Sequence, residues 1–283
     1  MMLQIVKMQF SLMIRKKGFQ FAFTVMMLYA MGSFVFAVLN SWNQDASSMY
    51  SAYTFCANND SSPLFKYFRM LFPFLVVFPF TFSSMTDRVN QITTYVFSRC
   101  QQKIYFRSLY ITAFIGGFVI LFIPLFLNWL LLFVTIPHTG NFVFGWPYSR
   151  AFTEVIADKS VIPFPWLFLK STMAYAFVYD LIISAFAGLL SILSLACSFF
   201  VKKYKIFALL PVYIIFYIFK ILDMSSFDAS INGNHSYTAL DPFAYVTITS
   251  MNGKRFFVIV LFCLMIALFS LFQLWCMERK EVI

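Results

Sequence analysis

Residues 109–136 read LYITAFIGGFVILFIPLFLNWLLLFVTI, a run without a single charged side chain. A helix needs about 20 apolar residues to cross the hydrocarbon core of a bilayer, which is roughly 30 Å thick. This run therefore predicts a membrane-spanning helix. The rest of the 283-residue chain agrees, because 61% of it is hydrophobic, only 11% is charged and its mean hydropathy is +0.80. Such a chain has too little polar surface to cover a soluble globule of its size.

Working outward from this run, we predict an all-α polytopic membrane protein with six transmembrane helices in one domain, residues 1–283. The predicted spans are Phe19–Leu39, Met70–Met85, Leu109–Ile136, Ile182–Val201, Ile206–Ile221 and Phe256–Met277. The second and fifth spans are short and contain Pro73, Pro79 and Pro211, which predict kinks. We find no internal repeat and no low-complexity linker.

Positive charge predicts the orientation, because short loops rich in Lys and Arg are retained in the cytoplasm. With the N-terminus inside, the six spans place thirteen of the 21 basic residues on the inner side and eight outside. Acidic residues lean the other way, so the net charge is +10 inside and +1 outside, with Asp180 at the boundary. Both termini are therefore predicted to be cytoplasmic. The cations flank apolar runs, which indicates membrane lipid and not nucleic acid as their partner.

The N-terminal residues 1–17, MMLQIVKMQFSLMIRKK, place apolar side chains at helical spacing. These are Leu3, Val6, Phe10 and Met13. The pattern predicts an interfacial elbow helix that lies along the inner leaflet before the first span. A frayed polar terminus is the alternative.

Residues 83–108, SSMTDRVNQITTYVFSRCQQKIYFRS, form a polar inner loop between spans two and three. Val89, Ile92 and Val96 recur at helical spacing and predict a short amphipathic helix, which Thr86 or Asp87 can cap. Such a helix can dock on a soluble partner and pass that partner's motion to the attached spans. The alternative is a plain solvated connector, because charge-rich loops are usually no more than that.

Two predicted outer loops are long, one from Asn40 to Arg69 and one over residues 137–181. The second ends in an aromatic stretch after Pro163, which predicts a short helix at the outer interface, either part of a gate or a simple anchor. Asp180 is the only acid near a span. Because the fourth span is predicted to begin at Ile182, we expect Asp180 at the outer headgroups; the alternative is a coupling residue for a carried ion.

The sequence offers little for catalysis. His138 and His235 are far apart and lack metal-ligand spacing, and the phosphate-loop pattern fails at Trp146 and Pro147. The five cysteines are scattered, so we predict no disulfide framework, metal site or bound cofactor in this chain. A stripe of small residues in the fourth span predicts close helix packing. Its members are Ser184, Gly188, Ser191, Ser194 and Ser198.

The order of these features resembles a permease subunit of the type-2 ABC exporters over nearly the whole chain. FSLMIRKKGFQFAFTVMMLYA (10–30) is similar to the family's amphipathic elbow, basic cluster and first span. LVVFPFTFSSMTDRVNQITTYVFSRCQQKIYFRSLY (75–110) is similar to the end of its second span and its coupling helix. This segment supplies, in family order, Pro79, Asp87, Arg88, Tyr95, Arg99, Lys103 and Tyr105. Gln91 departs from the Gly that many members carry.

Two later segments extend the resemblance. LSLACSFFVKKYKIFALLPVYI (193–214) is similar to the family's small-polar, basic and Leu-Pro pattern, with Ser198, Lys202 and Pro211 in place. TALDPFAY (238–245), which contains Asp241 and Pro242, is similar to the outer segment before span six.

The resemblance implies a six-span permease in a bacterial plasma membrane that exports a hydrophobic or amphipathic cargo such as a peptide, one use being resistance to antimicrobial peptides. A second permease subunit and a cytoplasmic ATPase dimer, which carries the ATP and magnesium, would be its partners. The ATPase-binding residues would be Asp87, Arg88, Val89, Ile92, Tyr95, Val96 and Arg99. The alternatives are an ion-coupled secondary transporter and a membrane scaffold without transport.

Overall fold

The structure is a computed structural model that describes residues 2–45, 49–59, 64–89, 96, 101–138, 164–200, 210–218 and 256–279. Side chains are described in these ranges except at 80–89, 165, 256–259 and 277–279. The α-helices are α1 (Met2–Ile14), α2 (Lys17–Ser41), α3 (Phe65–Val89), α4 (Gln102–Thr135), α5 (Pro165–Lys170), α6 (Thr172–Ser198) and α7 (Phe256–Arg279). A 3-10 turn covers Ala52–Phe55, and residues 210–218 are also helical.

Three of these helices, α2, α4 and α6, are long and apolar enough to cross a membrane. The described part of the chain contains no β-strand. An all-helical membrane protein, as the composition predicts, is therefore confirmed. The helices extend beyond the predicted spans at several ends, most of all in α6, which begins at Thr172 where Ile182 was predicted, and α4, which begins at Gln102 where Leu109 was predicted.

Helices α2 and α3 lie side by side and run in opposite directions. A Cβ on Gly18, at the start of α2, would lie 3.5 Å from the Phe78 ring and 3.7 Å from Pro79 Cα, late in α3. A Cβ on Gly32 would lie 3.6 Å from a methyl group of Leu64, just before α3 begins. The start of α2 and the end of α3 therefore belong to the same end of the bundle.

Helices α4 and α6 form the largest contact and also run in opposite directions, while α7 runs parallel to α6. The rings of Phe106, early in α4, and Phe199, just after α6, are 5.7 Å apart. Phe186 of α6 lies 6.1 Å from Phe262 of α7, and about three turns further on the side-chain amide of Gln273 donates to the Ala196 carbonyl. Helices α3, α6 and α7 thus end where α2 and α4 begin.

We call this the basic end, because α2 and α4 begin there with Lys16, Lys17, Lys103 and Arg107. Helix α1 lies against α4 at this end, where the Thr112 hydroxyl is 3.3 Å from the Gln9 side-chain oxygen. The predicted elbow segment is therefore a helix. Its packed face includes Phe10 and Met13 of the predicted apolar face together with Gln9, whereas Leu3 is 80% exposed.

The tightest crossing joins the middle of α4 to α6. A Cβ on Gly117 would stand 2.0 Å from Ser191 Oγ and 3.0 Å from the Ala187 carbonyl, and one on Gly188 would stand 2.9 Å from the Phe114 carbonyl. Ser191 also donates to the Val76 carbonyl of α3 at 3.0 Å. The small residues of α6 therefore serve close packing, as their spacing predicts.

Candidate functional site

A short non-helical segment fills the other end of the bundle. Residues 51–59, SAYTFCANN, are all buried, and we call them the inserted loop. Their 3-10 turn contacts α2, α4 and α6, and the Ala52 amide donates to the Pro137 carbonyl at 3.0 Å. We call this the inserted end of the bundle.

The backbone of the inserted loop is bonded by side chains of two helices. The Tyr29 hydroxyl of α2 donates to the Ala57 carbonyl, and Asn128 of α4 accepts a hydrogen bond from the Ala57 amide at 3.0 Å. The amide group of Asn128 also donates to the Ala30 carbonyl at 3.0 Å. Irregular backbone among membrane helices must be satisfied by protein groups, because lipid offers none. Tyr29 and Asn128 thus hold the loop between α2 and α4.

The loop meets an acid on α6. The side-chain amide of Asn58 donates to Asp180 Oδ1 at 2.7 Å, and both side chains are buried, at 1% and 3% exposure. The expectation that Asp180 lies at the outer headgroups stays a prediction, whereas its enclosure by protein was not predicted. Because α6 begins at Thr172, Asp180 occupies its third turn and is enclosed by neighbouring protein.

The electrostatic setting of Asp180 is unusual for a carboxyl group. Among the described residues, no lysine, arginine or histidine forms an ion pair with it. Removing a charge from water is costly without such a partner, and ionisable groups inside membrane proteins commonly mark pathways for substrates or ions. In the inserted loop, burial raises the pKa of the Cys56 thiol well above its usual range, and the nearby Asp180 raises this pKa further. Burial therefore favours the neutral thiol of Cys56 over the reactive thiolate.

No metal or disulfide chemistry is apparent in the part of the chain that the structure describes. There is no group of three or more His, Cys, Asp or Glu side chains that could hold a metal ion. Cys56, Cys197, Cys263 and Cys276 are free thiols. The chemical groups that this site offers are hydrogen-bond donors and acceptors and the Asp180 carboxyl group.

Three of the predicted ATPase-binding residues lie in a helix that ends at the opposite end of the bundle. Asp87, Arg88 and Val89 form the last turn of α3, with side chains outside the described set, and Val96 is described as a single helical residue. Ile92, Tyr95 and Arg99 lie outside the described residues. Thr86 and Asp87 do not cap a new helix, because α3 continues through both to Val89.

Sequence reasoning missed the bonding residues Tyr29, Asn58 and Asn128. Asn128 carried a usable signal, since it is a lone amide within an otherwise apolar run, and such a group needs a partner inside a bundle. Asn58 carried none, because an asparagine in a polar loop is ordinary.

The helices and the buried polar contacts define an all-helical membrane protein with a loop folded into one end. No protein-family model matches the chain, and neither a curated protein nor a solved structure is significantly similar to it.

Proposed function

We propose that this chain is the membrane-spanning subunit of an ATP-driven exporter of the type-2 ABC class. The observation that carries the proposal is that α3 and α4 both reach the segment between them at the basic end. Helix α3 continues for ten residues beyond Pro79, which lies beside the start of α2. At 1.5 Å per residue, this extension is about 15 Å long. Helix α4 begins at Gln102, and its first turns are packed against the bundle, with Tyr105 and Phe106 buried.

The predicted ATPase-binding residues run from Asp87, in the last turn of α3, to Arg99, shortly before α4 begins. A rigid helix on each side of this segment would carry a push from a soluble partner into the bundle, because a packed helix moves as a body. Helix α1, which lies against α4 at the same end, supports the resemblance to an elbow helix. The function requires no catalytic residue in this chain, since the partner ATPase supplies the ATP chemistry.

The helix directions also support the proposed topology. Helix α2 begins and α7 ends at the basic end, which fits six spans with both termini on the cytoplasmic side. In this arrangement the inserted end faces outward. A second permease subunit, identical or related, would complete the pathway in a bacterial plasma membrane, and a hydrophobic peptide is the proposed cargo.

Copurification of an ATPase tests the proposal. The variant Val89→Asp/Ile92→Asp/Val96→Asp places three acids on the apolar face predicted for the coupling helix. A matched control, Asn90→Asp/Thr94→Asp/Ser98→Asp, places the same charge on the opposite face. We expect the first variant to lose the ATPase while the control keeps it. Equal retention by both variants, or no ATPase with the unaltered protein, would refute the proposal.

The buried Asp180 favours a second candidate, an ion-coupled carrier. A carboxyl group enclosed in a spanning helix without a basic partner is the kind of residue that binds a coupling proton or cation. In proteoliposomes without ATP, such a carrier would move cargo down an imposed ion gradient, and Asp180→Asn would abolish that movement. Transport that needs ATP and survives Asp180→Asn would exclude this candidate.

A further inference from the structure

A groove of about 440 Å³ opens between α1, α4, α6 and α7 near the basic end. Its walls are apolar, with Ile111 and Phe114 of α4, Leu189 of α6 and Leu271 of α7 among them. Leu271 is 60% exposed, so the groove opens to the surroundings and is not an internal cavity. Its volume lies within the range of small-molecule sites.

The mouth of the groove is cationic on one helix face. Arg107 lines the groove and is exposed, and the exposed Lys103 lies one turn earlier on the same face of α4. The following position on this face, Ile111, is apolar. This face of α4 therefore changes from positively charged to apolar within about two turns. A membrane leaflet changes in the same order, from its headgroups to its acyl chains.

From this arrangement we propose that the groove is a binding site for an anionic phospholipid of the leaflet at the basic end. One acyl chain lies along Ile111, Phe114 and Leu271, and the headgroup phosphate faces Lys103 and Arg107. The apolar walls select a chain over a soluble anion, and the cations select a negative headgroup over a zwitterionic one. This proposal does not depend on the transport mechanism.

The test uses the full-length protein in nanodiscs of equimolar phosphatidylglycerol and phosphatidylcholine with identical acyl chains, followed by native mass spectrometry of retained lipid. We expect one phosphatidylglycerol per chain. Neutralisation in Lys103→Gln/Arg107→Gln should lower the preference for phosphatidylglycerol about fivefold per cation. The matched control, Lys16→Gln/Lys17→Gln, removes the same charge outside the groove and should leave the preference unchanged.

A second variant tests the apolar wall. Ala267→Phe fills the groove and should reduce retention of both lipids, while circular dichroism verifies that the helices remain folded. The proposal is overturned if groove filling leaves retention unchanged, or if both charge variants behave alike. It is also overturned if a cysteine at Leu271 cross-links two copies of the chain, because the occupant would then be a second subunit.

Discussion

The inserted end and the α4–α6 crossing use opposite means to hold the same helices. At the inserted end, Asn58 and Asn128 bind α4 and α6 to a loop through polar contacts. At the crossing, Gly117 and Gly188 let two backbones approach until no side chain fits between them. A close backbone contact at glycine holds the two helices at one distance, whereas a hydrogen bond can be broken and remade with another partner. The crossing is thus suited to be fixed and the inserted end to be exchangeable.

The largest expected effect falls on the crossing. In Gly117→Ala the new methyl group collides with Ser191 Oγ and the Ala187 carbonyl, and backbone cannot move aside easily. We expect the free energy of unfolding to fall by about 3 kcal/mol, the upper part of the range for overpacking. Unfolding in a denaturing detergent, followed by circular dichroism, measures it.

A matched glycine gives the control for this variant. Gly32 on α2 has only an ordinary contact with Leu64, so Gly32→Ala should be neutral or stabilise the protein by up to about 1 kcal/mol through helix propensity. Equal losses at the two sites would contradict the close crossing.

Asn128→Leu should have the next largest effect. It keeps the size of the side chain but removes the acceptor of the Ala57 amide, leaving a buried donor unsatisfied. We expect a loss of about 2 kcal/mol in the same unfolding assay. Thr135→Val, which removes a hydroxyl bonded only within its own helix, should cost little. Wild-type stability of Asn128→Leu would mean that the inserted loop is not held by α4.

Asn58→Leu should destabilise the protein by about 1–2 kcal/mol, because it leaves the Asp180 carboxyl without its donor. The exchanged pair, Asn58→Asp with Asp180→Asn, keeps one amide and one carboxyl in contact. In a double-mutant cycle, the exchanged pair should recover most of the stability that its two single substitutions lose. Failure to recover would show that the two positions are not coupled.

The smallest effect concerns the reactivity of Cys56. With the other cysteines replaced, we expect maleimide to label Cys56 at least about tenfold more slowly than a cysteine placed at Trp42, which is 76% exposed. Because the pKa of Cys56 is raised, its thiolate remains scarce as the pH rises past the ordinary thiol pKa, and labelling stays slow there. Equal rates at pH 8 would mean that the inserted loop opens freely.

Three of the six predicted spans correspond to helices long enough and apolar enough to cross a membrane, because the signal of such helices is local, while the six-span count stays a prediction. A long apolar run such as 109–136 has few ways to avoid the membrane, and it forms α4. Helix ends were harder to place. Helix α6 starts at Thr172, one residue after the short α5 ends. The segments on both sides of this boundary are mostly apolar, so the hydrophobicity of the sequence did not mark it.

The candidate site could not be predicted, because it depends on contacts between residues far apart in the chain. Asn58 and Asp180 are 122 positions apart, and no pattern in either segment indicates the other. The burial of Asp180 was not predicted for the same reason. Its environment is set by a loop that folds back among the helices, and hydropathy takes no account of such folding.

Helix α4 has 34 residues and is therefore about 51 Å long, well beyond the hydrocarbon thickness of roughly 30 Å. Its closest contact, at Gly117, lies near the middle, about 22 Å from one end and 27 Å from the other. Such a contact acts as a fulcrum. If α4 tilted by about ten degrees around this contact, its two ends would move by about 4 Å in opposite directions. A displacement of the helix at one face of the bilayer would then produce the opposite displacement at the other face.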